Sequence, residues 1–183
     1  MKMKRTGKLI ILLAVIISAS SCIKEKLEET YNKQEEQIDK YIESVLQKSE
    51  SHTVSYNNGS SRLTTVAGEG PELSSDGSVS FYYAGYVFSG GLNPSNMFGT
   101  NHQATAEQAG WELTDPDYSL MEINMKDSRL LDGVRKGLEG VRAGEECEIL
   151  FSGKYGFGNS TFGIIPAKSA LAFKIWVVGV SND

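Results

Sequence analysis

Metal and nucleophile chemistry have little to build on in this chain. Its two histidines, His52 and His102, stand 50 positions apart, and no pair of cysteines has metal-ligand spacing. Gly156-Phe157-Gly158 is a lone glycine pair outside any strand-helix-strand pattern, and no lysine-serine or lysine-threonine step stands at Walker-type spacing after it to cradle a phosphate. What remains is a chemistry of apolar surfaces. Between Phe151 and Leu171, the glycines at 153, 156, 158 and 163 favour turns, while Tyr155, Phe157, Phe162, Ile164 and Ile165 put apolar bulk into the same segment. A loop this apolar either folds over its own core or lines a pocket.

Two strands hold the ends of that loop. Cys147, Ile149 and Phe151 fall on one face of a strand with Glu146 and Glu148 on the other, and Leu171, Phe173, Ile175 and Val177 repeat the alternation with Lys174 outward. Upstream, Ser78 to Phe88 is apolar on both faces, as a central strand covered on both sides is. Leu120 to Met125 alternates Met121, Ile123 and Met125 inward. Asp132 is placed to cap a short helix carrying Val134, Leu138 and Val141 on one face, and Gly144 is placed to end it. Thr53 to Tyr56 and Leu63 to Ala67 flank Asn57-Asn58-Gly59, a candidate hairpin whose Asn-Gly step suits positive φ. Asn93 to Tyr118 is the least regular stretch, with room for a helical turn at Ala104 to Ala109. Antiparallel strands with one short helix place the fold in the α+β class.

Several motifs, in order along the chain, resemble an FKBP-type peptidyl-prolyl isomerase domain. They are Tyr82-Tyr83-Ala84-Gly85, Phe98, Leu131-Asp132-Gly133-Val134-Arg135-Lys136-Gly137-Leu138, Gly144-Glu145, Tyr155-Gly156-Phe157-Gly158, Gly163-Ile164-Ile165-Pro166 and Ser169-Ala170-Leu171-Ala172-Phe173. The resemblance covers roughly Gly77 to Val180, with a longer central insertion. It implies an FKBP-like antiparallel sheet wrapped around one short helix, no cofactor, and an aromatic cup for proline-containing polypeptides. The matching cup positions are Tyr83, Phe98, Leu131, Phe157, Ile165 and Phe173, and the resemblance implies that Ile165 offers its main-chain N–H to the substrate carbonyl. Val134 stands where the family usually has a tryptophan floor, and Gly99 where an aspartate is usual. Aligned without gaps from Gly144, Phe157 takes the place of the ligand-holding loop tyrosine; a two-residue gap gives that place to Tyr155.

Such a cup needs no nucleophile. Amide resonance sets the barrier, about 18–20 kcal/mol for an ordinary peptide bond, and X-Pro bonds exchange unaided in roughly tens to hundreds of seconds. A dry apolar cup that prefers the twisted amide accelerates the exchange. The isomerase implied by the resemblance is expected to be weak, given these departures. A chaperone or binding module on the same fold is the alternative, and a glycan-binding or protein-binding surface lipoprotein is a third class.

The N-terminus carries a different message. Lys2, Lys4, Arg5 and Lys8 precede the apolar run Leu9 to Ile17, and Ser18, Ala19, Ser20 and Ser21 lead to Cys22. That order is a secretory signal, and its end resembles a bacterial lipobox, which implies a lipidated Cys22 and a membrane anchor in the cell envelope. Nine apolar residues are too few to span a bilayer, which needs about 20 in a helix. Removal of residues 1 to 21 leaves 14 basic against 23 acidic residues, a charge of −9, which argues against nucleic acid as a partner. Cys147 then has no disulfide partner and reads as an inert core thiol. From Lys24 to Lys48, Leu27, Tyr31, Ile38, Ile42 and Val45 form an apolar stripe interrupted at Gln34. The stripe can pack on the domain, pair with a second copy as a homodimer, or lie at a membrane interface, the last disfavoured by its acidic polar face. The expected layout is a signal peptide (1–21), a lipidated cysteine and helix or stalk (22–50), a hairpin and linker (51–76), and an FKBP-like domain (77–183).

Overall fold

The computed structural model describes residues 5–111, 117–127 and 129–183, with side chains from residue 24 onward. Its elements are α1 (Arg5–Leu46), β1 (Thr53–Asn57), β2 (Ser60–Val66), β3 (Ser78–Val87), β4 (Met97–Thr100), α2 (Gln103–Gln108), β5 (Met121–Asn124), α3 (Asp132–Leu138), β6 (Glu146–Phe151) and β7 (Leu171–Ser181). All strands join one antiparallel sheet in the order β1-β2-β6-β7-β3-β4, and β5 pairs with the first half of β3 beside β4. Cys22 and the segment before it, where a signal peptide is expected, lie outside the residues whose side chains are described.

The alternation along β6 decides which layer goes where. Cys147, Ile149 and Phe151 face α3 and join Val134, Leu138, Val141, Ile175 and Val177 in the main core. Leu150 points the other way and packs under α1, with Ile38, Ile42, Val45, Leu63, Phe88, Ala170 and Ala172. The sheet is therefore a middle layer between a short helix and a long one. Each large apolar side chain fully buried in this way contributes roughly 1.5–3 kcal/mol. Part of the α1 stripe, Ile38 to Val45, is consumed by this contact. Tyr41 adds an edge-on ring contact with Phe88 at 5.5 Å and donates a hydrogen bond to Glu148 Oε2 at 2.8 Å. Burial under the helix raises the Glu148 carboxyl above the usual carboxylate range, against the opposing effect of that hydrogen bond.

The structure departs from sequence expectation in three places. Residues 51–76 are not a linker outside the domain. β2 pairs with β6 from Ser60↔Phe151 to Val66↔Glu146, Leu63 is fully buried, and Leu73 exchanges main-chain hydrogen bonds with Val141 and Gly140 at 2.8 and 2.9 Å. Arg62 on β2 donates to the carbonyls of Gly137 and Glu139 at the end of α3 and lies 3.3 Å from the buried Glu145. A two-stranded hairpin is marginal alone, and this one covers an edge that β6 would otherwise expose. Its Asn58 and Gly59 do take positive φ, 47° and 97°. Met121, expected inward, is 38% exposed, because β5 is a short strand at the rim and only Met125 is fully within the core. Asp132 is the first residue of α3 rather than its cap. Leu131 occupies the cap without a side-chain bond, and Asp132 instead pairs with Lys136 one turn on at 2.7 Å. The helix ends at Leu138, and Gly140 at φ 82° turns the chain before Gly144.

Candidate active site

Phe173 is the centre of an aromatic group on the α3 side of the sheet. Its ring lies 6.0 Å from Phe151 at 16°, 5.6 Å from Phe98 at 78°, and 6.3 Å from Tyr83 at 45°. The register explains why these rings converge. Gly85 on β3 sits opposite both Phe173 on β7 and Gly99 on β4. A Cβ at Gly85 would stand 2.6 Å from the Phe98 ring and 3.1 Å from the Phe173 ring. The glycine of Tyr-Ala-Gly thus makes the space that lets two aromatic rings meet over the strand.

Tyr83 is fixed through its main chain. Its N–H donates to Asn101 Oδ1 at 2.6 Å, and its carbonyl accepts from Thr100 Oγ1 at 2.6 Å. Burial raises the pKa of its phenol, with the charge of Asp117 adding to the effect. A Cβ at Gly99 would lie 3.6 Å from the Tyr83 hydroxyl, an ordinary contact, so a side chain can begin there without a clash.

Leu131 and Val134 from α3 and Phe157 and Ile165 from the loop complete the group. All eight residues singled out in the sequence (Tyr83, Phe98, Leu131, Val134, Tyr155, Phe157, Ile165 and Phe173) belong to one apolar cluster. Val134 and Ile165 are buried, whereas the other six are half-buried, core at one edge and open at the other. Tyr155 is turned toward the β1–β2 hairpin. Its ring covers Gly59, where a Cβ would come within 2.0 Å of it, and Lys136 Nζ lies 4.4 Å from its centroid. Phe157 instead stacks on Phe162 at 4.6 Å and 4°. Phe162 and Ile164 are 62% and 76% exposed at the tip of the loop.

The main-chain donor expected at Ile165 is not free. Residues 162–165 close a tight turn in which Ile165 N–H donates to the Phe162 carbonyl at 2.9 Å and Phe162 N–H returns to Ile165 at 3.0 Å, with Gly163 at φ 54°. At the start of α3 the first intrahelical donor is Arg135, bonded to Leu131 at 2.9 Å, so the N–H groups of residues 131–134 are not spent within the helix, and among the described residues no side chain caps them. Sequence reasoning also left Phe151 and Phe162 out of the group, although the inward phase of Phe151 on β6 was the signal for the first. A separate hollow of about 540 Å³ lies on the other face of the sheet, between Tyr41, Tyr86, Met97, His102 and Trp176, and no cup residue lines it. Its lining is mixed, with His102, Gln108, Glu148 and Lys174 among apolar side chains, unlike the aromatic group around Phe173.

A sheet wrapped on one short helix, with an aromatic group at its open edge, defines the FKBP-like fold. Residues 71–178 match the FKBP-type peptidyl-prolyl cis-trans isomerase family, and the chain belongs to that family. FK506-binding protein 1 of Aspergillus oryzae is 22% identical over 123 residues, which is 67% of this chain and 99% of that protein. Among solved structures, FkpA from Escherichia coli superposes with a TM-score of 0.55 at 18% identity, covering 98% of this chain and 74% of its own. The three FKBP domains of wheat FKBP73 give 0.56 at 14% identity, covering 72% of this chain and 52% of theirs. These structural likenesses concern the fold.

Proposed function

We propose that this FKBP-type domain is a working but weak prolyl isomerase of an envelope lipoprotein, acting on X-Pro bonds with an apolar residue before the proline. The observation that carries the reading is the half-buried ring cluster around Phe173, with no charged side chain at Gly99. An apolar surface of this kind holds the proline ring and favours the amide in its twisted, less polar state. Main-chain N–H groups at the start of α3 are the proposed donors to a substrate carbonyl. A protease-coupled or NMR exchange assay on purified protein tests the proposal. Acceleration of Leu-Pro or Phe-Pro peptides well above that of Glu-Pro peptides is expected, and no acceleration of any X-Pro peptide would overturn it.

The exposed Phe162 and Ile164 favour a second reading, a binding module for unfolded chains. Suppression of client aggregation without any isomerisation would select it.

Cys22 is proposed as the lipid anchor, with the exposed charged residues from Lys24 to Glu29 forming a stem between membrane and domain. No helix among the described residues is long and apolar enough to cross a membrane. Changing Cys22 to Ser is expected to move the protein from the membrane fraction to the soluble fraction of the cells. Continued membrane retention of that variant would remove the anchor from the proposal.

A further inference from the structure

The α1 stripe has a polar gap at Gln34, where helical spacing would put another apolar residue between Tyr31 and Ile38. The structure turns Gln34 inward to a half-buried position and spends both ends of its amide on the loop that carries Phe157 and Ile165. Oε1 accepts the Gly153 N–H at 2.9 Å, and Nε2 donates to the Lys168 carbonyl at 2.6 Å. Gly153 and Lys168 are the two ends of that loop. They lie so close that a Cβ on Gly153 would come 2.7 Å from the Lys168 carbonyl group, and Lys168 holds φ at 63°. Gly158 ties them further, donating to Gly153 at 2.9 Å and accepting from Lys168 at 2.6 Å. Glu35 accepts from Ser152 Oγ at 3.1 Å, and Glu28 reaches Lys154 at 3.7 Å. One face of the helix therefore grips the base of the loop.

We infer that Gln34 is a positioning residue for the isomerase site: through the loop ends, the N-terminal helix sets where Phe157 and Ile165 stand. The inference rests on the isomerase reading for its effect on rate, and on geometry alone for its effect on the loop. A side chain that satisfies a donor and an acceptor at both ends of a loop lowers the number of arrangements available to everything between them. The N–H of buried Gly153, left without that partner, would draw in water or move.

The test compares full-length protein, purified in detergent, with Gln34→Leu, Gln34→Glu and, as a control on the exposed side of the helix, Gln37→Leu. Gln34→Leu fills the apolar stripe but can bond neither loop end. Hydrogen exchange of main-chain amides across residues 155–165 is expected to speed up about ten-fold, with the amides of β6 and β7 unchanged. The kcat/KM for a Leu-Pro peptide is expected to fall about five-fold. Gln34→Glu keeps an acceptor for Gly153 but loses the donor to Lys168, so it should recover part of the loss, and Gln37→Leu should match the parent. Unchanged loop exchange in Gln34→Leu overturns the inference, as does faster exchange spread evenly through the sheet. If the parent protein itself shows no isomerisation, the isomerase reading fails, and the exchange pattern of the loop still decides the role of Gln34.

Discussion

Phe173→Ala is expected to lower kcat/KM for an apolar-X-Pro peptide by about a hundred-fold in a protein that still folds. The ring is the shared partner of Tyr83, Phe98 and Phe151, so its removal takes the wall from the cup and also frees the rings around it. Losing the contact of one aromatic side chain with the proline removes roughly 1.5–3 kcal/mol of binding, which converts to a factor of about 10 to 150. The effect on folding is smaller than for a core phenylalanine, where about 3–5 kcal/mol is usual, because Phe173 already has an open side. Phe173→Leu keeps part of the wall and should fall between. An isomerase assay with a thermal melt on the same samples checks both numbers. A folded Phe173→Ala protein with parental kcat/KM would move the site away from this cup.

The strands and the helix of this fold are legible because each alternates or repeats against a single core. Cys147, Ile149, Phe151 and Leu171, Phe173, Ile175, Val177 declare their inward face locally, and the structure puts them there. What depends on a partner far along the chain is not legible. Nothing in Ser60 to Val66 says that Leu63 will lie under α1 while Arg62 reaches the end of α3, so the hairpin reads as an appendage. The cup shows the same division. Its apolar members can be named from the family pattern, yet which N–H is left free depends on a turn that bonds Ile165 back to Phe162. Gln34 is the sharpest case, since a polar residue in an apolar stripe reads as a weakness until the loop ends appear beside it.

Gly133→Ala sets two physical effects of opposite sign against each other, and packing is expected to win. Within a helix, alanine in place of glycine ordinarily gains about 0.5–1 kcal/mol by limiting the unfolded chain. Gly133, however, is where α3 rests directly on β6. A Cβ there would lie 2.3 to 2.5 Å from Cγ, Cδ1 and Cδ2 of Phe151, well inside any contact that carbon atoms tolerate. The Phe151 ring cannot retreat freely, being 1% exposed and packed nearly parallel to Phe173. Overpacking of this kind costs about 1–3 kcal/mol, and a clash this close belongs at the upper end, so a net loss of about 2 kcal/mol is expected once the helix gain is subtracted. The strain has two exits, and both reach the site. Either α3 lifts, carrying Leu131 and Val134 outward, or the ring of Phe151 pushes Phe173 toward the cup. Chemical denaturation gives the stability and the isomerase assay gives the second consequence. Phe151→Leu, costly alone, should be less costly in the Gly133→Ala background, because the smaller side chain leaves room for the new methyl group. A Gly133→Ala protein as stable as the parent would mean that α3 does not rest on Phe151 as closely as described, and that the cup is not braced from this side.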